Sequence, residues 1–239
     1  MRGQRCRILG VSVDVLTLEE AARRAETMLA EGGTHLVVTP NAEMLNLAGR
    51  DLDLKGILCR ADLVLPDGAG VVLVGRLRGI RRLVRVPGVD FVRRLLGRGR
   101  RSVFLLGGER GVAESAAESL RAANPTLEVR GTAHGYFTAE EETSLVETIR
   151  SSRAEILLAG LGVPRQEKWL AAHLERLGVG LAVGVGGALD VFAGRAVRCP
   201  SWMGRIGLEW LYRLIREPRR AGRMLALPQF FWAALRERA

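Results

Sequence analysis

Residues Ala61 to Val72 read A-D-L-V-L-P-D-G-A-G-V-V. Leu63 to Leu65 is an apolar run of the kind a short buried strand shows. Pro66 and two glycines punctuate its end before the apolar Val71 to Val74 opens a new element. In an open α/β sheet, ligands bind beyond the carboxyl ends of the strands. Asp67 falls at such an end, and a carboxylate held there, with glycines permitting close approach of a substrate, suits a general base. The competing reading is a turn or N-cap aspartate, the commoner fate of Asp-Gly.

Outward from this stretch, strand and helix signals alternate. Strands are predicted at Ile8–Val15, His35–Thr39, Leu63–Leu65, Ser102–Leu106, Leu127–Gly131, Ile156–Leu161 and Leu181–Val185. Helical periodicity fills Leu18–Ala30, Ala42–Ala48, Val89–Leu96, Gly111–Ala123, Glu140–Ser151 and Gln166–Leu177. Thr17 and Glu20 have the spacing of a capping box. This alternation predicts an α/β fold, a Rossmann-like, mostly parallel sheet flanked by helices. It occupies residues 1–200, and residues 201–239 form a C-terminal helical appendage.

The chain of 239 residues is 48% hydrophobic, enough for a substantial core. Its N-terminus has no apolar h-region, so no signal peptide is predicted, and no apolar run reaches the ~18–20 residues that span a bilayer. Cys6, Cys59 and Cys199 are odd in number and widely spaced, which fits a reducing compartment and offers no zinc-ligand spacing.

The net charge of +10 is clustered. Arg76 to Arg101 carries ten arginines against Asp90, a net of +9, and Arg205 to the end carries eight against three glutamates, a net of +5. Clustered arginine points to nucleic acid, an anionic membrane or a phosphate-bearing substrate. On a helical wheel Ile206, Leu208, Trp210, Leu211, Leu214 and Ile215 share one half, while Arg205, Glu209, Tyr212, Arg213 and Arg216 share the other; Pro218 ends the pattern. A second apolar cluster, Met224 to Leu235, follows. A basic, tryptophan-bearing amphipathic helix reads as membrane-surface, against the alternative of a helix that packs on the sheet.

Several further stretches lie at strand-to-helix junctions. F-L-L-G-G-E-R-G (Phe104 to Gly111) and V-G-V-G-G-A-L-D (Val183 to Asp190) are Gly-rich loops that can present backbone N–H groups to a phosphate, but neither is G-x-G-x-x-G. Asp190 is either an acceptor for a sugar or base, or a helix cap. L-A-G-L-G-V-P-R-Q-E-K-W (Leu158 to Trp169) offers Gln166 and Lys168 to a polar ligand. T-P-N-A-E-M (Thr39 to Met44) offers Thr39 and Asn41, with N-capping as the alternative. Asp51 and Asp53 form a D-x-D, which in many sugar transferases holds a metal on a diphosphate. Here they precede a helical segment, so capping is expected and no metal site is predicted. In His134-Gly-Tyr-Phe137, Tyr136 is a site candidate and His134 is not.

Seven motifs in this order (T-P-N-A-E-M, A-D-L-V-L-P-D-G-A-G-V-V, F-L-L-G-G, H-G-Y-F, G-V-P-R-Q-E-K-W, V-G-G-A-L-D-V-F-A-G and E-W-L-Y-R-L-I-R-E-P-R-R) resemble the bacterial WecG/TagA/CpsF glycosyltransferases across Val11 to Leu227. Within that family the resemblance is to the TagA-like N-acetylmannosaminyltransferases of teichoic acid linkage-unit synthesis. It implies inverting, metal-independent transfer from a UDP-sugar donor to undecaprenyl-diphosphate-linked N-acetylglucosamine, with no cofactor. By the same resemblance Asp67 is the base, and Thr39, Asn41 and Gln166 line its pocket. The loop holding Gly187 and Asp190 is a nucleotide-side wall, and Arg85 is a diphosphate contact. Arg213, Arg220 and Arg223 belong to an appendage that closes over the site at the membrane. The implied location is cytoplasmic, peripheral on the inner face of the membrane; the donor sugar and any homo-oligomer stay open. Two other classes fit part of the sequence: a nucleotide-dependent oxidoreductase accounts for the Gly-rich loops, and a basic RNA-binding protein accounts for the charge. Neither uses Asp67 and the tail together.

Overall fold

A computed structural model describes residues 3–197, 199–200, 203, 212 and 226–237. Six parallel strands form the central sheet: β3 (His35–Val38), β4 (Leu63–Val64), β5 (Ser102–Gly107), β6 (Glu128–Ala133), β7 (Ile156–Gly160) and β8 (Leu181–Gly184). Their spatial order is β4-β3-β8-β7-β5-β6. From β5 the chain crosses outward to β6, and from β7 it crosses the opposite way to β8. The sheet therefore has its topological switch between β5 and β7, where open α/β sheets form a ligand crevice.

Both faces of the sheet are covered, and the side chains divide by the two-residue period of a strand. Val37, Leu63, Val103, Leu105, Leu158 and Val183 pack to one side, under α1 (Leu18–Glu31), α5 (Gly88–Leu96), α6 (Val112–Ala123) and α9 (Ala188–Phe192). Leu36, Val38, Val64, Phe104, Leu106 and Leu157 pack to the other. There they meet α2 (Ala42–Ala48), α3 (Leu52–Arg60), α4 (Ala69–Leu77), α7 (Ala139–Ser152), α8 (Arg165–His173) and α10 (Ala226–Arg236). The capping box at Thr17 and Glu20 starts α1, and a second at Thr138 and Glu141 starts α7.

One predicted strand is divided. Ile8–Val15 reads as continuous, yet the chain forms an antiparallel hairpin, β1 (Arg5–Ile8) with β2 (Val11–Asp14). Leu9 and Gly10 both take positive φ, 49° and 79°, as a two-residue hairpin turn with the strand twist demands. Leu-Gly is not a usual signal for that turn, and the flanking apolar residues hide it.

The C-terminal helix α10 packs on α2 and α4. Phe230 and Ala234 are buried in the core, and a Cβ placed on Gly70 of α4 would lie 3.6 Å from the Phe231 ring. Glu237, just past α10, accepts hydrogen bonds from Leu9 N (2.7 Å) and Gly10 N (2.8 Å) and pairs with Arg78 (2.9 Å). Arg78 also donates to the carbonyls of Arg7 and Ala234, each at 2.6 Å, tying the hairpin to the helix end. Among the described residues no helix is long and apolar enough to cross a membrane. The predicted amphipathic segment 206–216 lies outside the described residues apart from Tyr212.

Candidate active site

The end of β4 is stitched to the end of β3 by backbone hydrogen bonds, Leu65 N to Val38 O (2.8 Å) and Asp67 N to Pro40 O (3.0 Å). This fixes Asp67 beside the loop that carries Thr39 and Asn41. The carboxylate of Asp67 meets donors from Arg85 and from the start of α5. Arg85 Nη2 lies 3.3 Å from Oδ1, and the Gly88 N–H, in the first turn of α5, lies 3.2 Å from Oδ2. A helix N-terminus and a guanidinium both favour an anion. The side chains of Asp67 and Arg85 are 30% and 20% exposed, so the pair is partly open to solvent.

Thr39 continues the site inward. Its Oγ1 donates to the Gly184 carbonyl at the end of β8 (3.1 Å). A Cβ on Gly88 would lie 3.4 Å from Thr39 Oγ1 and 3.8 Å from Asp67 Oδ2, so Thr39 and Asp67 flank the same glycine. Asn41 caps α2 through its Oδ1, which accepts from Met44 N (2.9 Å), and packs beside Gly68.

Gln166 reaches the cluster from α8. Its Oε1 accepts from Gly186 N (2.9 Å) and its Nε2 donates to Glu167 Oε1 (2.7 Å). The amide lies so close on Gly184 that a Cβ there would come within 2.5 Å of Nε2. Asp67, Arg85 and Thr39 thus gather around Gly88, and Thr39, Gln166 and Glu167 around Gly184, at the carboxyl ends of β3, β4 and β8. Glu167, which sequence reasoning passed over, is 0% exposed. Burial pushes its carboxyl above the ordinary glutamate value, against the opposing pull of its backbone and of the Gln166 amide. An acid in the first turn of a helix looks like an ordinary dipole partner, and nothing in the local pattern signals that this one is interior.

The other loops form a neighbouring floor of backbone. Gly108 N donates to Gly160 O (3.2 Å) and Gly135 N to Gly108 O (2.8 Å). A Cβ on Gly107 would collide with the Gly160 carbonyl, and one on Gly160 would come within 2.7 Å of Gly186 O. Only glycine permits this approach of three strand ends. Arg165 braces the loop by donating to Gly135 O (2.7 Å), with its guanidinium 4.6 Å from the centre of the Phe137 ring. Tyr136 stands 69% exposed on that loop. Gly187 is the N-cap of α9 and Asp190 lies in its first turn; the Asp190 carbonyl accepts from Arg195 N (2.9 Å) and Ala196 N (3.0 Å).

Other sequence candidates are held elsewhere. Asp51 caps α3 through Leu54 N (3.0 Å) and pairs with Lys168 Nζ (2.8 Å), so D-x-D and Lys168 bind each other. Much of the basic Arg76–Arg101 segment is neutralised internally: Arg82, Arg94, Arg98 and Arg101 pair with Glu19, Glu20 or Glu26 of α1, and Arg78 pairs with Glu237. Arg213, Arg220 and Arg223 lie outside the described residues. Two clefts, of about 550 and 810 Å³, lie at the α2–α10 surface and beside β6 and α7; neither is lined by Asp67, Thr39 or Gln166.

Comparison with known proteins identifies the family. The family model for glycosyl transferases of the WecG/TagA/CpsF family matches residues 6–239. The chain is 33% identical over 205 residues to a Bacillus subtilis (strain 168) protein named N-acetylglucosaminyldiphosphoundecaprenol N-acetyl-beta-D-mannosaminyltransferase, covering 84% of this chain and 79% of that one. Proteins of the same name from Bacillus spizizenii and Staphylococcus aureus (strain MW2) are 34% and 30% identical, covering 89% and 94% of this chain and 84% and 90% of their own lengths. With residues 6–239 matched by the family model and relatives of 30–34% identity over most of its length, the chain belongs to the WecG/TagA/CpsF family of glycosyltransferases.

Proposed function

We propose that this chain moves N-acetylmannosamine from UDP-N-acetylmannosamine to N-acetylglucosamine on undecaprenyl diphosphate, with inversion and without a metal ion, using Asp67 as the general base. The observation that carries this reading is Asp67 itself: a partly exposed carboxylate at a strand end, oriented by Arg85 and the α5 N-terminus and flanking Gly88 together with Thr39. The names of the relatives support the acceptor and the sugar.

In this scheme Asp67 takes the proton of the acceptor hydroxyl as its oxygen bonds to the anomeric carbon. The bond from that carbon to the diphosphate oxygen breaks on the opposite face, and UDP leaves with the electron pair. One displacement inverts the configuration. The base lowers the barrier by removing the proton as charge develops, and preorganised cations stabilise the leaving diphosphate. Arg85 is one such cation, and its planar fork suits phosphate oxygens. The resemblance adds Arg213, Arg220 and Arg223 from residues 201–239, an appendage that we place at the cytoplasmic face of the membrane beside the lipid acceptor. Tyr136, Gly187 and Asp190 are assigned to the donor side, near the switch between β5 and β7.

A second reading keeps the mechanism and changes the donor, to another UDP-hexose of exopolysaccharide synthesis, because the residues around Asp67 do not name the sugar. Incubation with an N-acetylglucosaminyl-diphospho-lipid and a panel of UDP-sugars, followed by product mass, distinguishes the two. A mass gain from UDP-N-acetylmannosamine supports the first reading, and a gain from another donor alone supports the second.

A further inference from the structure

We propose that Glu167 is a positioning residue: its buried carboxyl fixes the side-chain amide of Gln166 in the one orientation that serves the transfer reaction. The inference rests on the reading of Gln166 as a substrate contact.

The geometry is a two-point clamp. The amide oxygen of Gln166 faces the Gly186 N–H at 2.9 Å, and its nitrogen faces Glu167 Oε1 at 2.7 Å. The two ends of an amide have nearly the same shape, so only partners of opposite kind distinguish them. Gly186 supplies the donor and Glu167 the acceptor. A flipped amide would set its nitrogen against an N–H and its oxygen against a carboxyl oxygen. The clamp leaves the second hydrogen of Nε2 with a defined direction at the end of β8, beside Gly184, whose carbonyl holds Thr39.

The cost of this arrangement argues that it does more than hold the fold. Glu167 and Gln166 are 0% and 1% exposed, and Glu167 Oε2 is buried with no hydrogen-bond partner among the described residues. A buried polar atom without a partner is destabilising, and an apolar side chain of similar volume would avoid that penalty.

The test is a double-mutant cycle on the full-length protein, with UDP-N-acetylmannosamine and an N-acetylglucosaminyl-diphospho-lipid as substrates, reading kcat and KM separately. Glu167→Leu is expected to lower kcat/KM roughly 10- to 100-fold, the scale of a misplaced contact. Glu167→Gln, which keeps an acceptor in place, is expected to restore it to within about threefold of wild type. In a Gln166→Ala background, Glu167→Leu is expected to add nothing, because its effect runs through Gln166. Multiplying effects, or a Glu167→Gln variant as impaired as Glu167→Leu, overturn the proposal while leaving Gln166 as a substrate contact. A fully active Gln166→Ala overturns that reading and the proposal together. If Glu167→Leu does not fold, Glu167→Asp replaces it: withdrawing the acceptor by one methylene is expected to lower kcat/KM where Glu167→Gln does not, and equal activity of the two overturns the proposal.

Discussion

Arg85 holds its Nη2 3.3 Å from Oδ1 of Asp67, so the proposed base and a proposed diphosphate contact form one ion pair. In the proposed mechanism a donor diphosphate competes for the guanidinium, and an acceptor hydroxyl takes its place against the carboxylate. The Gly88 N–H, which donates to Asp67 Oδ2, belongs to the backbone, so in that mechanism it keeps Oδ2 oriented while Arg85 exchanges partners.

Two substitutions separate these roles. Asp67→Asn is expected to lower kcat by at least about 100-fold, the span of general-base catalysis, with little change in UDP-sugar affinity. Arg85→Ala is expected to weaken the donor interaction and turnover together. Steady-state kinetics with calorimetric donor titration checks both, and substantial turnover by Asp67→Asn removes Asp67 as the base.

The buried Glu167 makes a pH-dependent contribution whose sign is fixed. Its carboxyl is raised by burial, so the folded chain binds more protons than the unfolded chain between the ordinary glutamate value of about 4.3 and the raised value. Stability therefore falls as pH rises through that window. Glu167→Gln has no proton to lose, so its stability relative to wild type is expected to increase over the same window. Urea unfolding midpoints of both proteins across mildly acidic to neutral pH measure the difference; parallel curves contradict a raised carboxyl.

The anchoring of α10 works in the opposite sense. Burial pushes the Glu237 carboxyl up, but Arg78 and the N–H groups of Leu9 and Gly10 outweigh it and hold it below its ordinary value. Its contribution is present above the ordinary glutamate range and lost as pH falls through the lowered value. Glu237→Gln is expected to cost about 1–2 kcal/mol, as for a hydrogen bond to a charged group, and Phe230→Ala about 3 kcal/mol or more for a cavity in the core. Chemical denaturation checks both, and hydrogen exchange is expected to show α10 loosening first in acid.

Much of the fold was legible because period-2 apolar runs and 3.6-residue periodicity mark elements buried on a sheet. Helix Ala42–Ala48 matches its expected limits, and Val89–Leu96 and Glu140–Ser151 each gain one residue or two at their ends. The hairpin turn at Leu9 and Gly10 escaped because its turn chemistry is unusual. Asp67, Thr39 and Gln166 are candidates that their places after strands single out. Glu167 was missed because burial arises from packing against β8, which no local pattern encodes. The basic segment misled for a similar reason: the glutamates of α1 that neutralise it lie far away in the chain.

The tail arginines call for a separate measurement. Arg220→Ala and Arg223→Ala are expected to reduce turnover without the stability loss of Phe230→Ala, because their proposed work is on the leaving diphosphate. Activity and thermal unfolding measured on the same preparations check this; unchanged turnover in both variants removes these arginines from the mechanism.

The most direct test of the central claim compares wild type with Asp67→Asn in one reaction: UDP-N-acetylmannosamine, an N-acetylglucosaminyl-diphospho-lipid and EDTA, with product mass and anomeric configuration as the readout. The expected result is one added N-acetylhexosamine in the inverted configuration from wild type and none from Asp67→Asn. A retained configuration, activity abolished by EDTA, or equal product from both proteins contradicts a metal-free inverting transfer driven by Asp67.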